Sequence, residues 1–289
     1  MVNLLHLCEV MTNCWLEESE IRVSFDVFKK FAKRNNFTIE KKSFDGVVKY
    51  KLKRKKIPVY FISGEEQTEF NFMDISDLHI GNKRFDGRAL RERLQYAVDN
   101  GIKNVFISGD VFDGCTDETT EYSYLEQIML AYYIFRDYPQ LNFYVINGNH
   151  EYSFEQIGLP NPLMRLEAML KGEGINFKFF DVYLMDFVIC GVVKRMMHVE
   201  RQDFNKRRIF AALKIKKFDE EGSLKIRYND KEYPVRFFQV GHIHINVQMY
   251  YAKKKVFISQ PGSFLKNEYS GDRANVIHGK VIDGKIFMT

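Results

Sequence analysis

Near the end of the chain, Val240-Gly241-His242-Ile243-His244 sets two histidines one residue apart. The apolar run Val235, Phe237, Phe238 and Val240 reads as a buried strand, and a pair at that spacing on an extended strand projects from one face and converges on one point. Imidazoles that converge with no carboxylate between them suit a metal ion. Three further stretches place metal-type ligands just after an apolar run: Asp77-Leu78-His79 after 70–75, Gly109-Asp110 after 104–107, and Gly148-Asn149-His150-Glu151 after 143–146. A fourth, His198, follows the strand expected over 186–193. Together, Asp77, His79, Asp110, Asn149, His198, His242 and His244 offer two carboxylates, four imidazoles and an amide. That is more than one ion needs, and it suits two five- or six-coordinate ions of manganese, iron or zinc type that share a bridging carboxylate. A structural zinc site would want four ligands rich in cysteine.

The elements that must position these residues alternate between strand and helix from Glu69 onward, the pattern of an α/β domain. Helices are expected over 87–100, 121–137, 160–170 and 204–214, and antiparallel strands close the chain after His244. In open α/β sheets, binding sites lie beyond the carboxyl ends of strands, so the ligand-bearing tips should be neighbours. Residues 1–65 read differently. A helix over 16–36 is followed by strands over 47–53 and 57–62, with Arg54, Lys55 and Lys56 at their turn, a small basic module similar to a winged helix. Lys49, Lys51, Lys53 and Lys55 would share one face of it, a strip suited to a phosphate backbone. The expected division is therefore 1–65 for the module and 66–289 for the catalytic domain.

Composition sets outer limits. The 289 residues can bury a large core, and 45% hydrophobic with 28% charged residues is ordinary for a globular chain. The net charge of +5 sits wholly in residues 1–65, with 13 Lys+Arg against 8 Asp+Glu; the remainder balances at 30 each. Four scattered cysteines without a C-x-x-C pair suggest free thiols and a cytoplasmic protein. Neither a signal peptide nor a membrane-spanning run is expected.

Four motifs, D-L-H (Asp77 to His79), G-D-V-F-D (Gly109 to Asp113), G-N-H-E (Gly148 to Glu151) and G-H-I-H (Gly241 to His244), stand in the order found in calcineurin-like metallophosphoesterases, and the chain resembles that family from Phe70 onward. The resemblance implies a four-layer α/β/β/α sandwich of two mixed sheets with two divalent metal ions, Mn2+ first and Fe or Zn next, at one rim. It implies Asp77, His79 and His244 on the first ion, Asp110 between the two, and Asn149, His242 and His198 on the second. It implies a non-ligand histidine, His150, beside the scissile bond, with Asp113 as the carboxylate that orients it. Ions so placed lower the pKa of a shared water, and His150 could protonate the leaving oxygen.

Phosphoprotein phosphatases of the family usually carry arginine directly after the second Asp of the G-D motif, where this chain has Gly114. S-D-L-H-I-G (Ser76 to Gly81) and G-D-V-F-D look closer to the nuclease and phosphodiesterase branches, Mre11-like and SbcD-like exonucleases among them; P-G-S-F (Pro261 to Phe264) is similar to phage-encoded phosphoesterases. The leading expectation is a two-metal phosphodiesterase acting on DNA, with Arg195, Arg201, Lys51 and Lys53 as substrate contacts. Nucleic acid is then the expected partner, with no membrane. Two alternatives stand beside it: a phosphatase or nucleotide phosphodiesterase whose N-terminal module docks a protein partner, and a non-catalytic nucleic-acid-binding subunit on the same fold.

Overall fold

The structure, a computed structural model, describes residues 11, 15–21, 24–34, 37–54, 56–63, 67–115, 119–199, 218–220, 222–266, 277–282 and 285–288. Arg201, Lys206, Arg207, Arg208 and the helix expected over 204–214 lie outside the described residues.

The chain begins with β1 (Leu16–Glu17), α1 (Phe25–Arg34), β2 (Phe37–Phe44) and β3 (Val47–Arg54), then β4 (Val59–Phe61) and β5 (Glu69–Ile75). Helix α2 (Gly87–Asp99), β6 (Asn104–Ile107), α3 (Tyr124–Phe135), β7 (Asn142–Ile146), α4 (Asn149–Gln156), α5 (Pro162–Gly172) and β8 (Phe177–Phe180) follow. Strands β9 (Leu184–Ile189), β10 (Val192–His198), β11 (Lys225–Tyr228), β12 (Lys231–Gly241), β13 (Val247–Tyr251), β14 (Val256–Gln260), β15 (Ile277–Ile282) and β16 (Lys285–Met288) complete it.

Two mixed sheets face each other. One runs β16-β15-β5-β6-β7-β8, with β5 to β8 parallel and β15 antiparallel to β5; the other runs β13-β14-β12-β10-β9-β4, with β11 paired to β12. Phe72, Phe106, Phe187, Met196 and Phe237 fill the space between them. Helices α2, α3 and α5 cover the outer face of the first sheet through Leu90, Leu94, Ile128, Phe135, Leu163 and Leu166. This is the expected two-sheet α/β architecture, with a three-stranded antiparallel sheet, β1-β3-β2, added at the N-terminus.

The N-terminal segment departs from expectation in two ways. Asp45-Gly46 makes the hairpin turn, with φ of 50° and 81°, so β3 pairs with β2 and not with a strand over 57–62. That later segment supplies β4, which joins β9 in parallel as the edge of the second large sheet. An Asp-Gly pair between alternating strands is a stronger turn signal than a run of basic residues. The helix is also shorter than expected, because Leu16–Glu17 pairs with β3 before α1 begins.

A buried ion pair pins the two sheets together. Lys194 Nζ on β10 lies 2.7 and 2.8 Å from the carboxylate oxygens of Asp74 on β5, with the rings of Phe72, Phe106 and Phe237 4.6 to 5.6 Å from the ammonium. Burial pushes the lysine pKa down and the aspartate pKa up, and each charge opposes that shift in the other. Removing one partner strands a buried charge, whereas removing both leaves an apolar gap that Phe side chains already line. Lys194→Met should therefore cost about 3 to 5 kcal/mol of stability in urea denaturation. Lys194→Met combined with Asp74→Leu should recover most of that loss, and a double variant no more stable than the single one would contradict the account.

Candidate metal centre

Every sequence-predicted ligand emerges at the end of a strand or just past it. Asp77 and His79 follow β5, Asp110 follows β6, Asn149 follows β7, His198 ends β10, and His242 and His244 follow β12. Because β5, β6 and β7 are parallel, as are β10 and β12, these ends meet at one rim.

Among the described residues three donor groups form there, the donor atoms of each lying within 4.8 Å of one another: a first cluster of Asp77, His79 and His244, a second of Asp110, His198 and His242, and a group of His79, Asp113 and His150 that shares His79 with the first. In the first, His79 Nε2 and His244 Nε2 are 3.0 Å apart, and His244 Nε2 is 3.4 Å from Asp77 Oδ1. In the second, His198 Nε2 lies 3.2 Å from Asp110 Oδ2 and 2.9 Å from Asn149 Oδ1. Asp110 stands between the clusters, since its peptide oxygen accepts from His79 N at 3.1 Å while its carboxylate faces His198.

The residues fit a pair of divalent ions. Two nitrogens at right angles on an ion, each about 2.1 Å from it, stand about 3.0 Å apart. Buried Asp110 Oδ2 has no donor in full hydrogen-bond geometry and only the His198 ring, at 3.2 Å, to offset its charge, a place a divalent ion would fill. The imidazoles are also turned for the task. His198 Nδ1 donates to Ser108 O at 2.6 Å and His79 Nδ1 to the Asp113 carboxylate at 3.2 Å, which leaves each Nε2 as the ligand atom.

The H-x-H pair works differently from the sequence expectation. The strand ends at Gly241, and His242 and His244 have φ of 80° and 53°, so strand alternation no longer applies to them. The two rings diverge, one into each cluster. Asp77 fixes this turn by accepting His242 N at 2.9 and 3.0 Å. Gly241 is required by close approach: a Cβ there would sit 2.2 Å from Ser108 O.

Asp113 also differs from its expected role. Its carboxylate accepts from His79, Asn82 Nδ2 at 2.9 Å and Thr120 Oγ1 at 2.6 Å; His150 Nδ1 instead donates to the Asp113 backbone oxygen, at 2.5 Å. The carboxylate therefore orients a candidate ligand, and the peptide group orients His150. Arg195 is not a substrate contact. It is buried, bidentate to Asp186 at 2.7 and 2.8 Å, and donates to Ser223 O, because β10 turns it into the protein. Lys51 and Lys53 lie on the face of β3 opposite core residues Tyr50 and Leu52, where Glu40 is Lys51's cross-strand partner and stands 4.0 Å from the Lys53 ammonium.

Glu151 was part of a sequence motif without an assigned task. Fully buried, it accepts from the N–H groups of Asp110, Phe112 and Gly148 at 3.1, 2.9 and 2.8 Å, joining the second ligand loop to the third. Burial, and then Asp110, push its pKa up to about 7. Its helix α4 was also missed, since no helix is expected between 121–137 and 160–170. The sequence signal was the acid at the third helical position, which complements the free N–H groups of a helix start.

Burial and cationic neighbours hold His79 below the usual histidine range, and the same causes bring His242 down to about 4, so both are neutral at pH 7. His198 is the exception. Burial opposes its charge, but Asp110 outweighs burial and raises it to about 9. A metal ion needs the neutral ring, so binding must displace that proton at any pH below about 9. Mn2+ titrations of metal-free protein at pH 7.5, in buffers of different ionisation enthalpy, should show roughly one proton released, with affinity rising as pH rises. Binding with no proton release would contradict this assignment.

The family profile agrees with this picture. The profile of the family described as calcineurin-like phosphoesterase matches residues 70–246, more than half of the chain. Among solved structures, a conserved uncharacterized protein described as a predicted phosphoesterase, from Streptococcus pneumoniae TIGR4, matches at 14% identity and a TM-score of 0.39, covering 77% of this chain and 99% of that one. Vps29 from Chaetomium thermophilum matches at 14% identity and a TM-score of 0.38, covering 74% and 83%. A comparison with curated proteins finds no match.

Proposed function

Because the chain belongs to the calcineurin-like phosphoesterase family, a group of metal-dependent phosphoesterases, we propose that it hydrolyses phosphodiester bonds at the two-cluster rim, with nucleic acid as the substrate class. The single observation that carries this reading is the side-by-side placement of the two clusters with His150 next to the first, its ring 4.5 Å from that of His79. Asp77, His79 and His244 would hold one ion, and Asn149, His198 and His242 the other, with Asp110 shared. When bound, such ions supply an activated water and neutralise charge on phosphoryl oxygens.

The chain's own residues supply the rest. With His150 Nδ1 donating to the Asp113 carbonyl, Nε2 is the atom that can pass a proton to a leaving oxygen. Burial disfavours its charge, but Asp110 and the Asp113 carbonyl outweigh burial and raise its pKa, which suits a general acid. His150 N also donates to Asp110 Oδ1 at 2.9 Å, so ligand and acid move as one unit.

Gly114 supports a diester over a monoester. Its φ is +88°, and a Cβ would meet Ser153 Oγ at 2.6 Å. An arginine clamp at that position would be both strained and blocked. Two observations bear on DNA in particular: Arg195 is internal, and Glu40 sits beside the outer lysines. A nucleotide phosphodiesterase is the reading those two observations favour.

Mn2+-loaded protein should therefore turn over bis(p-nitrophenyl) phosphate faster than the monoester, and monoester-only activity would end the diester reading. His150→Asn should lower kcat by about 10²- to 10⁴-fold while metal content stays unchanged. If nucleic acid lies along β3, replacing Lys51 and Lys53 with Ala should flatten the slope of log K against log salt for DNA by about 2. An unchanged slope would favour the nucleotide substrate.

A further inference from the structure

The N-terminal sheet and α1 are packed against the helix that starts with Asn149 and His150. Tyr152 of α4 is buried in the module's own core, among Ile21, Phe28, Ala32 and Leu52. Beside it, Arg34, the last residue of α1, is 5% exposed, and its guanidinium lies 5.4 Å from the Tyr152 ring centre.

Three connections leave Arg34 toward the second cluster. Arg34 Nη2 donates to Glu155 Oε1, near the far end of α4. Arg34 Nε donates at 2.6 Å to Asp181 Oδ1, which also accepts from Asn147 Nδ2 at 3.1 Å, two residues before Asn149. The backbone oxygen of Arg34 accepts from Tyr183 N at 3.2 Å, and Tyr183 O accepts from His198 N at 2.9 Å. Asn149, His150 and His198 are thus all tied to one side chain and its peptide group. Burial works against the Arg34 charge, but Asp181 and Glu155 outweigh it and keep the guanidinium firmly protonated.

We propose that Arg34 is a positioning residue for the second donor cluster, through which the N-terminal module sets the place of Asn149, His150 and His198. This rests on the two-ion reading given above. Helix α4 has eight residues, too few to be stable without tertiary packing, so its direction is set by what grips its side chains. From Glu155 to Asn149 is about 9 Å along the axis, so a tilt of about 5° moves Asn149 by about 0.8 Å. Metal–ligand distances tolerate about 0.2 Å. The residues of the first cluster follow β5 and β12, and they meet the chain of contacts from Arg34 at Asp110, whose peptide oxygen accepts from His79 N.

The test is Mn2+ titration of the metal-free full-length protein, followed by calorimetry and by the spin-coupled EPR signal of a manganese pair. Wild type should take up two ions and show the coupled signal. Arg34→Met should bind its second ion at least roughly tenfold more weakly and lose the coupled signal at two equivalents, while its first ion binds as before. Arg34→Lys, which keeps the charge, should restore part of the loss. Circular dichroism and thermal unfolding establish that the variants fold; if Arg34→Met does not, Glu155→Gln gives the same reading from the α4 side. Two ions at wild-type affinity in Arg34→Met, or equal weakening of both ions, would overturn the proposal. A wild-type protein that binds fewer than two ions would overturn the two-ion reading first, and the proposal with it.

Discussion

Two carboxylates, Asp77 and Asp110, are wholly removed from water at adjacent strand ends, and the rest of the chain is arranged around that cost. A buried anion without compensation is strongly unfavourable. Here compensation comes from imidazoles and peptide N–H groups, and the His198 and His244 rings hold both acids below the usual carboxylate range despite burial. The backbone bears part of the load. Ten described residues other than glycine have positive φ, and Asp77, His79, Asp110, His242 and His244 make up half of them. Each such conformation costs about 1 to 3 kcal/mol and persists only where surrounding structure dictates it. The other five sit one or two at a time in turns between strands, whereas five gathered at candidate ligands mark the rim as the place where stability has been exchanged for chemistry.

Rigid parts on both sides sustain that arrangement. Glu151 fastens the Asp110 loop to the start of α4, and Gly148 makes this possible, because a Cβ there would fall 2.2 Å from Asp110 N. The Lys194–Asp74 pair keeps β10 and β5 in fixed relation beneath the rim. The N-terminal module grips α4 through Tyr152 and Arg34. The clusters are therefore held from three directions, and none of the three supports uses a candidate ligand side chain of its own.

Which side chains gather at the rim, and the succession of strands and helices that carries them, were legible in the sequence because both leave local marks. An apolar run that ends in Gly-Asp or Gly-Asn-His states its own geometry, and α2, α3, α5 and β5 to β7 stand within a few residues of where periodicity puts them. The pairings that cross the chain were not legible. Nothing local distinguishes Arg195, turned inward to Asp186, from a surface arginine, nor shows that Lys194 beside it meets Asp74. The H-x-H pair failed for another reason. Strand alternation was extended two residues past the end of the strand, into a turn that Asp77 imposes from 165 positions away. Likewise, the choice of partner for β3 rested on basic residues when Asp45-Gly46 held the stronger local signal.

Strand β15 pairs with β5 along six positions, from Ile277 against Asp74 to Ile282 against Glu69. The strand that launches the first ligand loop therefore has a neighbour that leaves the ribosome some two hundred residues later. Until then, one edge of β5 is bare, and an unpaired apolar edge is a template for association with other chains. Every candidate ligand, His244 the last, precedes β15, so synthesis includes an interval in which the whole donor set exists while one edge of its sheet is still open.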